Sequence, residues 1–354
     1  MLHLNRLREQ MAEKGIDAFL CLDELNQRYL CGFAFTDGAL LITKNRSIMI
    51  TDFRYFEHAQ KEAYPEFEIT MPQKRKDFIT EALKSEGAKV VALEGSSVAY
   101  AVYEAYKNNY PDFQFVDIGN TVEVLRQIKT PEEIAMMQKA QDITDRAFQH
   151  ILSVLTPDMT ELDVAVELEY AMRKNGASAF AFDTIAVSGD GSALPHGTPR
   201  NVKLRPGFLT MDFGAKFNGY CSDMTRTVVI GRATDEIKNV YNTVLNAQLS
   251  ALAFLRADAD CGEADKIARD IINKEFEGTF GHSLGHAVGL FIHESPSLSS
   301  RGFGRKLKVG EVVTVEPGIY LLGKYGCRIE DMVAIEESGV HNFTHSPKEL
   351  IEIY

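Results

Sequence analysis

The chain has 354 residues, 45% hydrophobic and 25% charged, an ordinary globular composition in a length beyond the roughly 250 to 300 residues at which single cores stop growing. Fifty Asp and Glu against 38 Lys and Arg leave a net charge of -12, which argues against nonspecific nucleic-acid binding and anionic membrane surfaces and favours small peptides or metabolites as partners. Cys21, Cys31, Cys221, Cys261 and Cys327 are widely spaced with no CxxC pair, so neither a disulfide framework nor a thiolate zinc site is signalled.

The amino-terminal stretch MLHLNRLREQMAEKG lacks the apolar core and cleavage site of a signal peptide. No run reaches the ~18 apolar residues of a membrane span, and the expected location is cytoplasmic. Residues 3 to 14 carry Leu4, Leu7 and Met11 on one helical face and stop at Gly15. IDAFLCL, GALLITK and SIMITD read as strands, HAQKEAY and QKRKDFITEALKSEG as helices, and KVVALEG as a strand. YAVYEAYKNNYPDF and FVDIG add one more helix and strand. This alternation predicts a small α/β domain over residues 1 to 125.

A second domain, residues 126 to 354, opens on the helix TPEEIAMMQKAQDITDRAFQHIL. Thr130 caps it, Pro131 suits the first helical position and Glu133 completes a capping box. Met136, Ala140, Ile143, Ala147 and Ile151 set its apolar face. A second helix runs from Thr160 to Gly176, followed by the strand-like FAFDTIAVSG, LTMDFG and CSDMTRTVVIG. The pattern then recurs: two helices, TDEIKNVYNTVLNAQLSALAFLRA and EADKIARDIINKEFEG, precede further strand-like runs. LRPGFLTMDFG is echoed by LKVGEVVTVEPG, and His196-Gly-Thr-Pro by His293-Glu-Ser-Pro. An internal duplication with a site shared between its halves follows from that match; the alternative is two similar hairpins with no site.

Asp212 and Glu316 occupy matched positions in the two copies, with Asp223 and Glu330 a short turn further on. Leu209, Met211 and Phe213 alternate with Thr210 and Asp212, which puts Asp212 on the less apolar face of its strand. Carboxylates on such apolar runs are costly to bury unless a cation or a hydrogen-bond network compensates them. Between the pairs lies GHSLGHAVGLFIHESP, with three of the nine histidines inside twelve residues and glycines at 281, 285 and 289, which favours a glycine-punctuated extended segment over a helix. Four carboxylates with an imidazole would form a two-metal site, and ligation so rich in oxygen favours Mn²⁺, Co²⁺, Fe²⁺ or Zn²⁺ over copper. Other motifs fail: after His293-Glu294, Ser297 stands where HExxH needs its second histidine, SGDGSA lacks a Walker lysine, and Ser222 has no G-x-S-x-G setting.

With RYLCGF, LRQIKTPEEI, LPHG, MDFGAKFNGYCSDMTRT, HSLGHAVGLFIHESP, VEPGIY and RIED in place, nearly the whole chain resembles the pita-bread metallopeptidases of the proline-peptidase group, Xaa-Pro aminopeptidase and Xaa-Pro dipeptidase (prolidase). The resemblance implies an α+β architecture: a duplicated pita-bread catalytic domain preceded by a smaller α/β creatinase-type N-terminal domain. It implies two divalent metal ions, Mn²⁺ foremost, with Asp212 on one ion, His286 and Glu316 on the other, and Asp223 and Glu330 bridging. Glu316 would also shuttle the proton of the attacking water. His196, His282 and His293 would orient the scissile peptide and stabilise the tetrahedral intermediate, with Arg328 beside the bridging glutamate and among the substrate-binding residues. A homodimer is implied as well.

Two positions depart from the family pattern. Ala287 follows His286 where glycine is frequent, and Ser297 stands where many dipeptidases carry an arginine for the substrate carboxylate, although Arg301 lies four residues on. The expected activity is removal of an N-terminal residue preceding proline, with prolidase as the alternative. A metal-free pita-bread binding protein is the reading from another class, and the filled ligand positions speak against it.

Overall fold

The helix Leu2–Glu13 buries Leu4, Leu7 and Met11, as the 3.6-residue spacing requires. It opens the first of two units into which the chain divides, Met1–Arg126 and Gln127–Tyr354. A computed structural model of the protein describes residues 2 to 354. Among them no helix is long and apolar enough to cross a membrane, and all five cysteines are buried free thiols.

The first unit is built on a six-stranded mixed sheet in the spatial order Glu68–Thr70, Ser47–Ile50, Ala39–Thr43, Ala18–Cys21, Val90–Leu93, Gln114–Asp117. The central pairs are antiparallel, whereas the three strands reached through helices, Glu68–Thr70, Val90–Leu93 and Gln114–Asp117, pair in parallel. The five strands read from sequence are present. Three short elements escaped that reading: the edge strand Glu68–Thr70, the helix Thr121–Gln127, and the helix Glu24–Cys31, which Asp23 caps by accepting the Asn26 N–H and Gly32 ends with φ 74.

The second unit repeats one plan twice. In the first half, helices Pro131–Val154 and Glu161–Lys174 precede the strand Ile185–Ser188 and a hairpin of Gly207–Phe213 with Met224–Ile230. In the second, Asp235–Phe254 and Cys261–Asn273 precede Gly285–Ala287 and a hairpin of Val312–Val315 with Asp331–Glu336. Each hairpin carries a smaller one at its tip, Ala215–Phe217 with Tyr220–Cys221 and Gly318–Leu321 with Tyr325–Arg328. Separate apolar cores sit between helices and sheet in each half, one around Phe148, Leu168, Leu209 and Phe213, the other around Val244, Ala268, Val313 and Val333.

Local chemistry fixes the starts of the helices. Thr130 and Glu133 form the expected reciprocal box, and Thr160 with Asp163 forms a second. The buried face of the first long helix centres on Met137, Ala140, Phe148 and Ile151, and Met136 is only half-buried. Ala140, Ile143, Ala147 and Ile151 are buried as their spacing predicts, and only at the first turn does Met137 take the place of Met136, since the face turns about 100° with each residue. FAFDTIAVSG also differs from the single strand expected. It forms only Ala179–Phe180 and Ile185–Ser188, with the chain leaving the sheet between them.

Each half contains one close backbone approach beside its carboxylates. A Cβ at Gly214 would lie 2.0 Å from the Ser222 carbonyl oxygen, and one at Gly285 would lie 2.0 Å from that of Thr314. Below the hairpin tips Arg226, the largest fully buried side chain, ties the two halves to the C-terminal segment. Its Nη2 donates to Asp331 Oδ1 at 2.8 Å and to the Ser346 carbonyl, its Nη1 to the carbonyl of Thr225, and its Nε to that of Pro347. Lys348, Gln248 and Asn342 complete the shell of Asp331. Lys348 would still answer Asp331, but Arg226→Met removes the fully buried cation with its hydrogen bonds to the carboxylate and the carbonyls, so it should destabilise the protein by about 3 kcal/mol in denaturant unfolding, and a loss under ~1 kcal/mol would show that the network is not a brace.

Candidate active site

A cavity of about 550 Å³ opens between the two hairpins, lined by Asp212, Asp223, His196, His282, His286, His293, Glu316, Arg328 and Glu330 among others. All nine candidate residues named from sequence therefore reach one cavity. Asp212 lies near the end of its strand, opposite Thr225; Asp223 immediately precedes Met224, which pairs with Phe213. Glu316 follows the strand Val312–Val315, and Glu330 precedes Asp331, which pairs with Val315. Corresponding ends of the two hairpins thus supply two carboxylates each.

The cluster is held by donors, several of which were not singled out in sequence. Thr225 Oγ1 donates to Glu330 Oε2 at 2.8 Å and accepts from Arg328 Nε at 3.0 Å. Thr314 Oγ1 donates to Glu316 Oε1 at 3.1 Å and accepts the His286 backbone N–H at 3.0 Å. Thr225 lies two residues after Asp223, and Thr314 two before Glu316, so strand alternation places each on its carboxylate's face. Arg328 donates Nη2 to Asp212 Oδ2 at 2.6 Å and Nη1 to the Tyr320 hydroxyl at 2.7 Å. Each of its side-chain nitrogens is therefore engaged within the protein, which holds the guanidinium against Asp212 at the cavity wall.

The histidines divide by their hydrogen bonds. His286 Nδ1 faces the Ala287 carbonyl at 3.2 Å, and since a carbonyl only accepts, that nitrogen carries the proton. Its Nε2 then points a lone pair toward Asp223 Oδ2 at 3.5 Å and Glu316 Oε1 at 3.4 Å. His282 has both ring nitrogens occupied, Nδ1 by the Ser283 carbonyl and Nε2 by the Tyr320 hydroxyl at 2.8 Å. It braces the wall through Tyr320. His196 and His293 are exposed, and neither ring makes a hydrogen bond. His293 packs edge-on against His286, with ring centroids 4.4 Å apart. The turn presenting it is pinned by Glu294, which accepts from Phe291 N–H and pairs with the buried Lys129 at 3.3 Å. The glutamate of the incomplete HExxH is thus structural.

Electrostatics fit this donor set to cations. Burial, with the charges of Asp212 and Glu316, holds the Asp223 carboxyl well above its ordinary value, and burial with Asp223 and Glu316 does the same to Glu330. Burial pushes Glu316 up to about 8 against the opposing pull of Arg328. Burial lowers His286 to about 4, with His293 adding to the shift. Asp212 Oδ1 is buried with no hydrogen-bond partner, and Asp223, His286 and Glu330 bring one potential ligand atom each within 4.8 Å of the others. A lone pair and several carboxylates converging on one small space, with one guanidinium to balance them, is an arrangement that divalent ions reconcile.

Comparison with known proteins places this geometry. Residues 135–337 match the model of Metallopeptidase family M24, and residues 3–128 that of the Creatinase/Prolidase N-terminal domain. The solved structure "Xaa-Pro dipeptidase from Bacillus anthracis" superposes with a TM-score of 0.95 at 43% identity, covering 100% of this chain and 99% of that one. That of X-Pro aminopeptidase from Thermotoga maritima MSB8 gives 0.91 at 37%, covering 96% and 98%. The "Uncharacterized peptidase YqhT" of Bacillus subtilis (strain 168) is 41% identical over 98% of this chain and 99% of its own. Fold and site together define a metal-dependent hydrolase. The chain belongs to metallopeptidase family M24, with the creatinase-type α/β domain followed by the pita-bread catalytic domain.

The shifted groups make a stability prediction for protein stripped of metal. Glu316, raised from 4.5 to about 8, keeps a proton in the folded state that the unfolded chain has lost, so stability falls as pH rises through that window. His282 and His286, lowered from 6.5 to about 4, act in the opposite direction, and their contribution is lost as pH falls below 6.5. Between pH 6.5 and 8 only the carboxylate effect operates. The melting temperature of chelator-treated protein should drop across that interval, and metal should flatten the profile; a chelated protein with no such drop would contradict the burial of ionisable Glu316.

Proposed function

We propose that this metallopeptidase removes an N-terminal residue that precedes proline, acting on Xaa-Pro-Yaa peptides in preference to the Xaa-Pro dipeptide. The observation that carries the preference is Ser297, whose hydroxyl lies on the cavity wall and donates to the Gly285 carbonyl at 3.2 Å. A dipeptide places a free carboxylate just beyond the proline ring, which when desolvated requires a charged partner, usually a bidentate arginine. A serine already bonded to the backbone provides none, and a longer peptide presents a neutral amide instead.

In this reading Asp212, Asp223, His286, Glu316 and Glu330 would hold two divalent ions, to which Asp223 and Glu330 would be common ligands, and manganese suits their oxygen-rich set. Bound there, the ions supply Lewis-acid polarisation of the scissile carbonyl and acidify a water. Glu316, anchored by Thr314, takes a proton at its carboxylate and returns it to the proline nitrogen. His293 and His196, whose ring nitrogens are free, donate hydrogen bonds to the carbonyl oxygen as negative charge grows on it. His282 contributes through Tyr320, which also orients Arg328 and thereby Asp212.

A prolidase reading is favoured by one feature. The cavity joins a second of about 930 Å³ at His282, Ser283 and Ser297, and Arg301, whose guanidinium makes no hydrogen bond or ion pair, lines that second space. Comparing kcat/KM for Xaa-Pro and Xaa-Pro-Yaa decides between them. We expect the longer peptide to win and Ser297→Arg to shift preference toward the dipeptide by about 1.5 to 3 kcal/mol. A wild type that favours the dipeptide, losing that advantage on Arg301→Ala, would make Arg301 the carboxylate clamp.

The ligand and donor roles separate in a second experiment. His286→Ala should deplete metal, whereas His293→Ala should retain it and lose roughly 10²-fold in kcat. Exchange of these phenotypes would overturn the assignment of His286.

A further inference from the structure

Before it enters the strand Ile185–Ser188, the chain leaves the sheet. Phe180 pairs with Ala215 and the Ala181 N–H donates to the Gly214 carbonyl, yet Ile185 pairs with Asp212. Phe182, Asp183 and Thr184 therefore stand against the single residue Phe213. A bulge of this kind releases side chains from strict alternation and re-aims them, and all three of its residues line the catalytic cavity.

Asp183 differs from every other carboxylate there. Asp223 and Glu330 are buried, Asp212 and Glu316 nearly so, and all four surround the proposed ions, whereas Asp183 is exposed and its carboxylate makes no hydrogen bond or ion pair. Thr184, next in the chain, is only 5% exposed. Asp183 thus stands at the solvent-facing rim of the cavity, next to a buried neighbour. The one Lys or Arg on the same wall, Arg328, is occupied by Asp212, so an unneutralised negative charge faces the entering substrate. The second cavity, with its arginines, joins at Ser283 and Ser297 on the other half of the unit, away from this bulge.

We propose that Asp183 selects a basic residue, Lys or Arg, at the Xaa position. The inference rests on the preceding reading, in which the carbonyl of Xaa lies at the carboxylate floor. The α-amino group is one carbon from that carbonyl and stays at the floor with it. A side chain rising from the same carbon can reach the rim, and only a long one places a cation beside Asp183. The net charge of -12 adds attraction at longer range for a cationic peptide.

The test compares kcat/KM for Lys-Pro-Ala, norleucine-Pro-Ala, Ala-Pro-Ala and Ala-Pro-Lys in wild type, Asp183→Asn and Asp183→Glu. At low salt the wild type should prefer lysine to norleucine roughly two- to fivefold, the size expected of a solvent-facing ion pair. The ratio should fall to about one in Asp183→Asn or in high salt, and return in Asp183→Glu. A wild-type ratio near one overturns the proposal. So does a loss in Asp183→Asn shared equally by all Xaa residues, which would assign the carboxylate to the α-ammonium or to the fold. Dependence on Asp183 for Ala-Pro-Lys instead would place the contact after proline and overturn it too. A wild type that cleaves none of the proline peptides refutes the proline reading alone, and the lysine-to-norleucine ratio is then read in whichever peptide series it does cleave.

Discussion

Four carboxylates converge on one cavity floor with a single guanidinium among them, and that imbalance governs the rest of the catalytic unit. Two like charges 4 Å apart repel by about 4 kcal/mol even at an effective dielectric constant of 20. Arg328 answers one of the four, through Asp212. The remainder are either protonated, as the raised values of Asp223, Glu316 and Glu330 express, or neutralised by cations. Since His286 turns a lone pair and not a proton toward Asp223 and Glu316, it offers no relief of its own.

Holding such a cluster demands stiffness from the scaffold. The hairpins provide it twice over, each giving one carboxylate near the end of a strand and one just before the next strand begins. The glycines at 214 and 285 let neighbouring backbones approach closer than any side chain would permit. Arg226, three residues after Asp223, and Asp331, one after Glu330, lie on the second strands of the two hairpins and clamp the halves together below the floor. Lys129 reaches Glu294 to fix the turn that carries His293. Two kinds of histidine result: His282 and His286 locked by their hydrogen bonds, His196 and His293 left free at the entrance.

The meeting of the carboxylates in one cavity was legible because acids stand out on apolar strands, and because a repeated pattern showed which acids correspond. Long elements were legible for the same periodic reasons, down to the capping boxes at Thr130 and Thr160. What escaped depended on residues whose types carry no alarm. Thr225, Thr314 and Tyr320 are ordinary in strands, and only the fold reveals that their hydroxyls carry the hydrogen-bond network. Arg226 and Asp331 lie inside conspicuous motifs, DMTRT and RIED, where the neighbouring candidate ligands drew attention from them. The bulge at Phe182–Thr184 is written in a run that reads as an unbroken strand, since register is a property of two chains and not of one. Arg328 and His282, expected at the substrate, also bond within the protein, Arg328 to Asp212, Thr225 and Tyr320 and His282 to Tyr320, and those partners lie too far off in the chain to be read from it.

Counting bound ions tests the account most directly. Protein stripped by chelation and dialysed to equilibrium against Mn²⁺ should take up two ions per chain at neutral pH, released together as acid returns protons to the carboxylates. Uptake of one ion or none, in protein that remains folded by circular dichroism, would contradict the claim that this carboxylate floor is built around a pair of cations.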